Sequence, residues 1–107
     1  MFFSSPTTED PRRIHEALRK GEIVLVDVRE PGEHREEHIE GAVLHPLSTF
    51  DPARLPAQAG KAIVLHCVSG KRSATALAQC AKAGVPVRAH MGGGIMAWKA
   101  AGLPTVK

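Results

Sequence analysis

The chain has 107 residues, 43% hydrophobic and 23% charged, with 14 Lys and Arg against 11 Asp and Glu for a formal charge of +3. This length suits one domain with one core, read as residues 1–107, and the composition is ordinary for a soluble globular protein. No apolar run exceeds four residues, which argues against a membrane span, and the positive excess is too small and dispersed to mark a nucleic-acid surface.

The start, Met1-Phe2-Phe3-Ser4, carries neither a basic segment nor a long apolar stretch, so no signal peptide is expected and cytoplasm is the default location. Asp10-Pro11 reads as a helix N-cap and first turn, with Gly21 as the stop. Between them Ile14, Ala17, Leu18 and Gly21 fall at i, i+3, i+4 and i+7, one buried face. Ile23-Val24-Leu25-Val26 is continuous rather than alternating, as in a parallel strand covered on both sides. It runs into Asp27-Val28-Arg29-Glu30 and the turn Pro31-Gly32. Asp27 and Arg29 are expected to support the strand end through an ion pair or loop hydrogen bonds.

Residues 33–40 are too charged for a core element and predict a short surface helix. Within them His34-Arg35-Glu36-Glu37-His38 matches H-x-x-E-H, a zinc-peptidase pattern. A catalytic zinc needs a third protein ligand and a firmer mount than this short stretch. A solvated helix is the better reading, and no metal or cofactor is assigned. A brief strand follows at residues 41–44, stopped by Pro46, and one turn of helix at Asp51-Pro52, limited by Pro56. Ala62-Ile63-Val64-Leu65 is the second continuous strand and leads straight into His66-Cys67.

Residues 73–83 predict a helix rich in alanine, closed by Gly84, whose small side chains permit close approach to a sheet. Another strand ends near His90. Gly92-Gly93-Gly94 then turns into a helix over residues 95–101, with Gly102 and Pro104 as stops. Cys80 and Trp98 are expected in the core. Strands alternating with helices predict an α/β fold around a parallel sheet.

The chemistry concentrates in Cys67-Val68-Ser69-Gly70-Lys71-Arg72-Ser73. Ligand sites in open α/β sheets lie beyond the carboxyl ends of the strands, where Cys67 falls. A helix is expected about six residues later, so loop N–H groups can converge on one point beside its positive end. Lys71 and Arg72 add charge, and Gly70 permits a positive φ. All of this favours thiolate over thiol, making Cys67 a nucleophile rather than a small buried apolar residue. Two cysteines here read as thiols rather than a bridge. The mild positive field suits a small anionic substrate.

In these segments the chain resembles a single-domain rhodanese. Val26-Asp27-Val28-Arg29-Glu30, His38-Ile39-Glu40-Gly41-Ala42, the loop from Cys67 to Ser73, and Gly93-Gly94-Ile95-Met96-Ala97-Trp98 with Gly102-Leu103-Pro104 resemble that family's motifs in order. Three positions depart from the pattern: Glu37 where glycine is frequent, His34 where an aromatic is common, and His66 before the cysteine. The resemblance implies a rhodanese-like central parallel five-stranded sheet with helices on both faces. It also implies a thiosulfate sulfurtransferase in which a Cys67 persulfide carries sulfur from thiosulfate or a related persulfide to cyanide or a thiol. The partners it implies are a small anionic sulfur donor, that acceptor, and a thiol-redox protein. Val68, Ser69, Gly70, Lys71, Arg72 and Ser73 would bind substrate, with Arg72 placed for bidentate contact to the sulfonate.

Two other classes stand beside this one. Cysteine phosphatases of the related fold carry a loop one residue longer, C-x5-R against the C-x4-R of Cys67 to Arg72, although His66-Cys67 echoes theirs. The other is a sulfur-relay or partner-binding module; domains of this fold that only bind partners typically lose the cysteine, which this chain keeps.

Overall fold

The two continuous apolar runs are two of the three inner strands of the sheet, and their residues divide between opposite layers. Ile23, Leu25 and Val64 pack with Ile14 and Ala17, and with Ile95 and Trp98, on one face. Val24, Val26 and Leu65 pack with Ala76 and Cys80 on the other. A strand with both faces covered has no polar side to show, hence the continuous run.

The computed structural model describes residues 8–56 and 60–107; the opening residues read above for a signal peptide lie outside them. Strands β1 (Thr8–Glu9), β2 (Ile23–Asp27), β3 (Val43–Leu44), β4 (Ala62–His66) and β5 (Ala89–Met91) form one sheet in the order β1-β5-β4-β2-β3. Every neighbouring pair is parallel. Helices α1 (Pro11–Arg19) and α4 (Gly94–Ala100) supply the first layer and α3 (Lys71–Lys82) the second, so the α/β arrangement has helices on both faces. The short α2 (Pro31–Glu36) follows β2.

Local chemistry sets the element ends. Asp10 caps α1 by accepting the Arg12 amide at 2.7 Å, with Pro11 in the first turn. Asp51 does the same for the short turn Pro52–Arg54, accepting the Ala53 amide. α3 presents Ser73, Ala76 and Cys80 inward, three small residues that let it lie close on β4.

Several boundaries differ from the sequence reading. α2 begins at Pro31 and stops at Glu36, because Ile39 returns to the core at 1% exposure and cannot stay on a surface helix. Glu37 leaves that helix with φ −164°, extended backbone open to any residue, so no glycine is needed there. α3 begins at Lys71, two residues early, since Gly70 at φ +107° turns the chain directly into it. β1 was not anticipated: two residues carry no pattern of their own, and they form a strand through pairing with β5.

Candidate functional site

Cys67 follows the last residue of β4, the middle strand of the sheet, and is 1% exposed. The chain then passes through two residues, Val68 and Ser69, to Gly70 and into α3. This tight path folds backbone donors onto the sulfur: Sγ accepts the amides of Gly70 at 3.2 Å and Ser73 at 3.3 Å, and lies 3.5 Å from Ser73 Oγ. Burial alone would raise the thiol, but these hydrogen bonds and that of Ser69 outweigh it and hold Cys67 below its ordinary value. Cys80 is the contrast. It is also a free buried thiol, and burial without compensation pushes it up.

The loop is held from behind by α4. The amide of Ile95 donates to the Cys67 carbonyl at 2.8 Å and that of Met96 to the Val68 carbonyl at 3.1 Å. With these carbonyls occupied on one side, the loop is free to turn amides toward the sulfur. Gly94 makes the approach possible: a Cβ there would lie 2.3 Å from the Val68 carbonyl oxygen.

The two basic residues behave differently. Lys71 is exposed in the first turn of α3. Arg72 does not present a free fork, contrary to the bidentate sulfonate contact expected from the sequence. Its two terminal nitrogens meet the Glu33 carboxylate at 2.8 and 2.9 Å. Glu33 also accepts the Glu30 amide at 2.8 Å, and the Arg72 contact leads in lowering its carboxyl to about 2. Sequence reading gave Glu33 no role; its position one helical turn after Glu30 was the available signal.

Asp27 and Arg29 form the strand-end pair expected of them. Arg29 donates to both Asp27 carboxylate oxygens through Nε and Nη2, and Nη2 also reaches the Glu37 carbonyl. Burial raises the Asp27 carboxyl, and the Arg29 hydrogen bonds reverse this and leave it lowered. His66 is fully buried with Nε2 3.8 Å from Asp27 Oδ2. Burial drives it down to about 4 despite that carboxylate, so it is neutral at pH 7. It faces the Asp27 side rather than the cradle.

His34 and His38 stack at 4.1 Å, with His38 Nδ1 2.7 Å from the His34 carbonyl oxygen. Among the described residues no group of three or more His, Cys, Asp and Glu side chains is arranged to hold a metal ion. None of their helices is long and apolar enough to cross a membrane. His90, at the middle of β5, was passed over by the sequence reading. Its Nδ1 is 2.8 Å from Ser73 Oγ.

Residues 10–101 match the family profile of the Rhodanese-like domain. The chain belongs to this family. An uncharacterized protein of Synechocystis sp. is 47% identical to this rhodanese-like chain over 97 residues, 91% of this chain and 54% of its own length. A protein of Allochromatium vinosum named sulfurtransferase is 32% identical over 85 residues, 79% of each chain. The crystal structure of a thiosulfate sulfurtransferase from Pseudomonas aeruginosa superposes with a TM-score of 0.79 at 30% identity, covering 96% of this chain and 20% of that one. The rhodanese-like chain thus spans about half the length of its Synechocystis relative and a fifth of the Pseudomonas structure.

Proposed function

We propose that the protein is a sulfurtransferase that carries a sulfane sulfur as a persulfide on Cys67. The observation that carries this reading is the cradle of Gly70 and Ser73 amides around Sγ. A thiolate needs such donors, and so does the terminal sulfur of a persulfide, which bears the same charge one atom further out. The Cys67 thiolate attacks the outer sulfur of a donor such as thiosulfate. The donor's S–S bond breaks, and sulfite leaves with the electron pair. A thiol acceptor, or cyanide, then attacks the outer sulfur of the persulfide and releases Cys67 as thiolate. The cycle is covalent and double-displacement.

The short C-x4-R loop supports sulfur over phosphate, since a wider cradle is needed to surround a phosphate ester. Names borne by relatives, sulfurtransferase in Allochromatium vinosum and thiosulfate sulfurtransferase in Pseudomonas aeruginosa, agree with the reading. Lys71 is the cation left to attract an anionic donor, while Arg72, paired with Glu33, holds the loop to α2.

Intact-mass spectrometry after incubation with thiosulfate is the test. Wild type is expected to gain one sulfur atom and Cys67→Ser none. An equal gain in both would refute Cys67. Hydrolysis of a phosphate ester with no persulfide formed would refute sulfur transfer.

A further inference from the structure

Behind the sulfur cradle lies a second polar arrangement that the displacement chemistry above does not use. Cys67 Sγ is 3.5 Å from Ser73 Oγ, and Ser73 Oγ is 2.8 Å from His90 Nδ1. On the far side of the ring, His90 Nε2 is 3.4 Å from Thr8 Oγ1 on β1. Ser73 is fully buried, whereas His90 is half-buried at the edge of the site. The row therefore runs from an enclosed thiol through an enclosed hydroxyl to a ring that water reaches.

We propose that Ser73 and His90 form a proton relay for Cys67, in which the thiol proton passes through the Ser73 hydroxyl to His90 Nδ1 and returns when Cys67 is released. A serine hydroxyl has one proton and two lone pairs, so it accepts from one neighbour while donating to the other. With Cys67 as thiol, S–H donates to Ser73 Oγ and Ser73 O–H donates to His90 Nδ1. Moving both protons one step gives thiolate, hydroxyl and imidazolium, with no electron transferred. The hydroxyl now donates to the thiolate and accepts from Nδ1–H. While the persulfide exists, the imidazolium holds the proton or hands it to the water that reaches the ring. When the acceptor takes the outer sulfur, the electron pair of the broken S–S bond goes to Sγ and the proton returns along the same path.

A thiol with almost no exposure has little water beside it to take its proton, and a fixed hydroxyl supplies that route. Burial lowers His90 below its ordinary value, which leaves the ring neutral and able to accept at neutral pH. Among the described residues the charged groups around the relay are few. Arg72 on α3 is the cation that feels Cys67, and Glu33 on α2 pairs with it. On β1, Thr8 meets the ring, and Glu9 directs its carboxylate to the Asp10 amide at 2.8 Å. On β4, His66 faces Asp27. His90 acts through Ser73 and is a positioning residue that also holds the proton.

The relay rests on Cys67 being the nucleophile. Alkylation by iodoacetamide tests it without any sulfur donor, so its failure is distinct from failure of the sulfur-transfer reading. The rate at Cys67, located by peptide mass spectrometry, is measured against pH for the whole chain. Wild type is expected to show two rising limbs: a lower one where the Cys67–His90 pair loses its first proton and can reach the thiolate–imidazolium form, and an upper one where the second proton leaves and free thiolate stands beside neutral imidazole. His90→Asn keeps a hydrogen-bonding group at the Nδ1 position but cannot titrate, and His90→Ala removes it. Both variants, and Ser73→Ala, should lose the lower limb, with the rate at pH 6.5 falling about tenfold or more. The double variant Ser73→Ala/His90→Asn should be no slower than Ser73→Ala alone. A lower limb that persists in His90→Asn would reduce the ring to a prop and overturn the relay, as would additive losses in the double variant. If a variant fails to fold, wild type decides: the His90 imidazole seen by NMR must titrate with an inflection at the midpoint of one of the two limbs. Disagreement, or no lower limb, overturns the proposal.

Discussion

Lys71 and Arg72 carry the same charge on adjacent residues, yet their surroundings give them different work. Arg72 is tied to Glu33 through two nitrogens, and Lys71 projects from the first turn of α3 into solvent. Lys71→Ala is therefore expected to slow persulfide formation about threefold at low thiosulfate and low salt, with an unchanged melting temperature, as for loss of one exposed charge. Arg72→Ala releases the loop from α2 and gives up a pair worth about 1 kcal/mol or less, lowering Tm by up to roughly 5 °C. Donor titrations and thermal melts on the two variants separate these roles; identical behaviour would erase the distinction. Sequence alone treats the two residues alike, because nothing in the loop announces that a carboxylate 39 positions away will claim one of them.

Elements are where the sequence was most and least informative. The runs in β2 and β4, the cap at Asp10 and the glycine stops after α1 and α3 act over a few residues, and their positions could be read directly. The early start of α3 depends on the conformation of one glycine, and β1 exists through its partner, so neither has a local pattern to read. For the site, the nucleophile and its loop were legible, while Glu33 and His90 come from α2 and β5 and meet the loop only in the folded sheet. The junction of the loop with α4 gives a further prediction. Gly94 has φ +62°, and a Cβ there would meet the Val68 and Cys67 carbonyl oxygens at 2.3 and 2.6 Å. Gly94→Ala adds a left-handed strain of about 1–2 kcal/mol to an overpacking cost of about 1–3 kcal/mol. Thermal melts should show a drop of roughly 10 °C or more, and persulfide formation should fall with it. An unperturbed melt would mean that the loop and α4 are not tightly apposed.

At the scale of the whole molecule, the buried His66 makes stability depend on pH. Its ordinary value is 6.5 and the fold lowers it to about 4, so between those values the unfolded chain binds a proton that the native state refuses. Stability is therefore lost as pH falls from about 6.5, and by pH 4.5 His66 alone accounts for roughly 2–3 kcal/mol. Asp27 and Glu33, whose carboxyls the fold lowers, contribute stability at neutral pH that begins to disappear only below about pH 4.5. Urea midpoints measured from pH 7.5 to 4.5 should decline through this window, and His66→Gln should flatten the decline. A wild-type midpoint constant down to pH 5 would contradict the assignment.

The two amides that α4 gives to the loop carbonyls also bear on where this chain could be shortened. A version ending after β5 would keep all five strands, and with them everything that defines the sheet. It would nonetheless remove the mount on which the Cys67 loop is bolted, along with Trp98 beneath it. A truncation between Met91 and Gly94 thus takes from the reactive sulfur the segment that keeps its loop in shape, and a fusion or circular permutation there cuts the short covalent link between β5 and that segment.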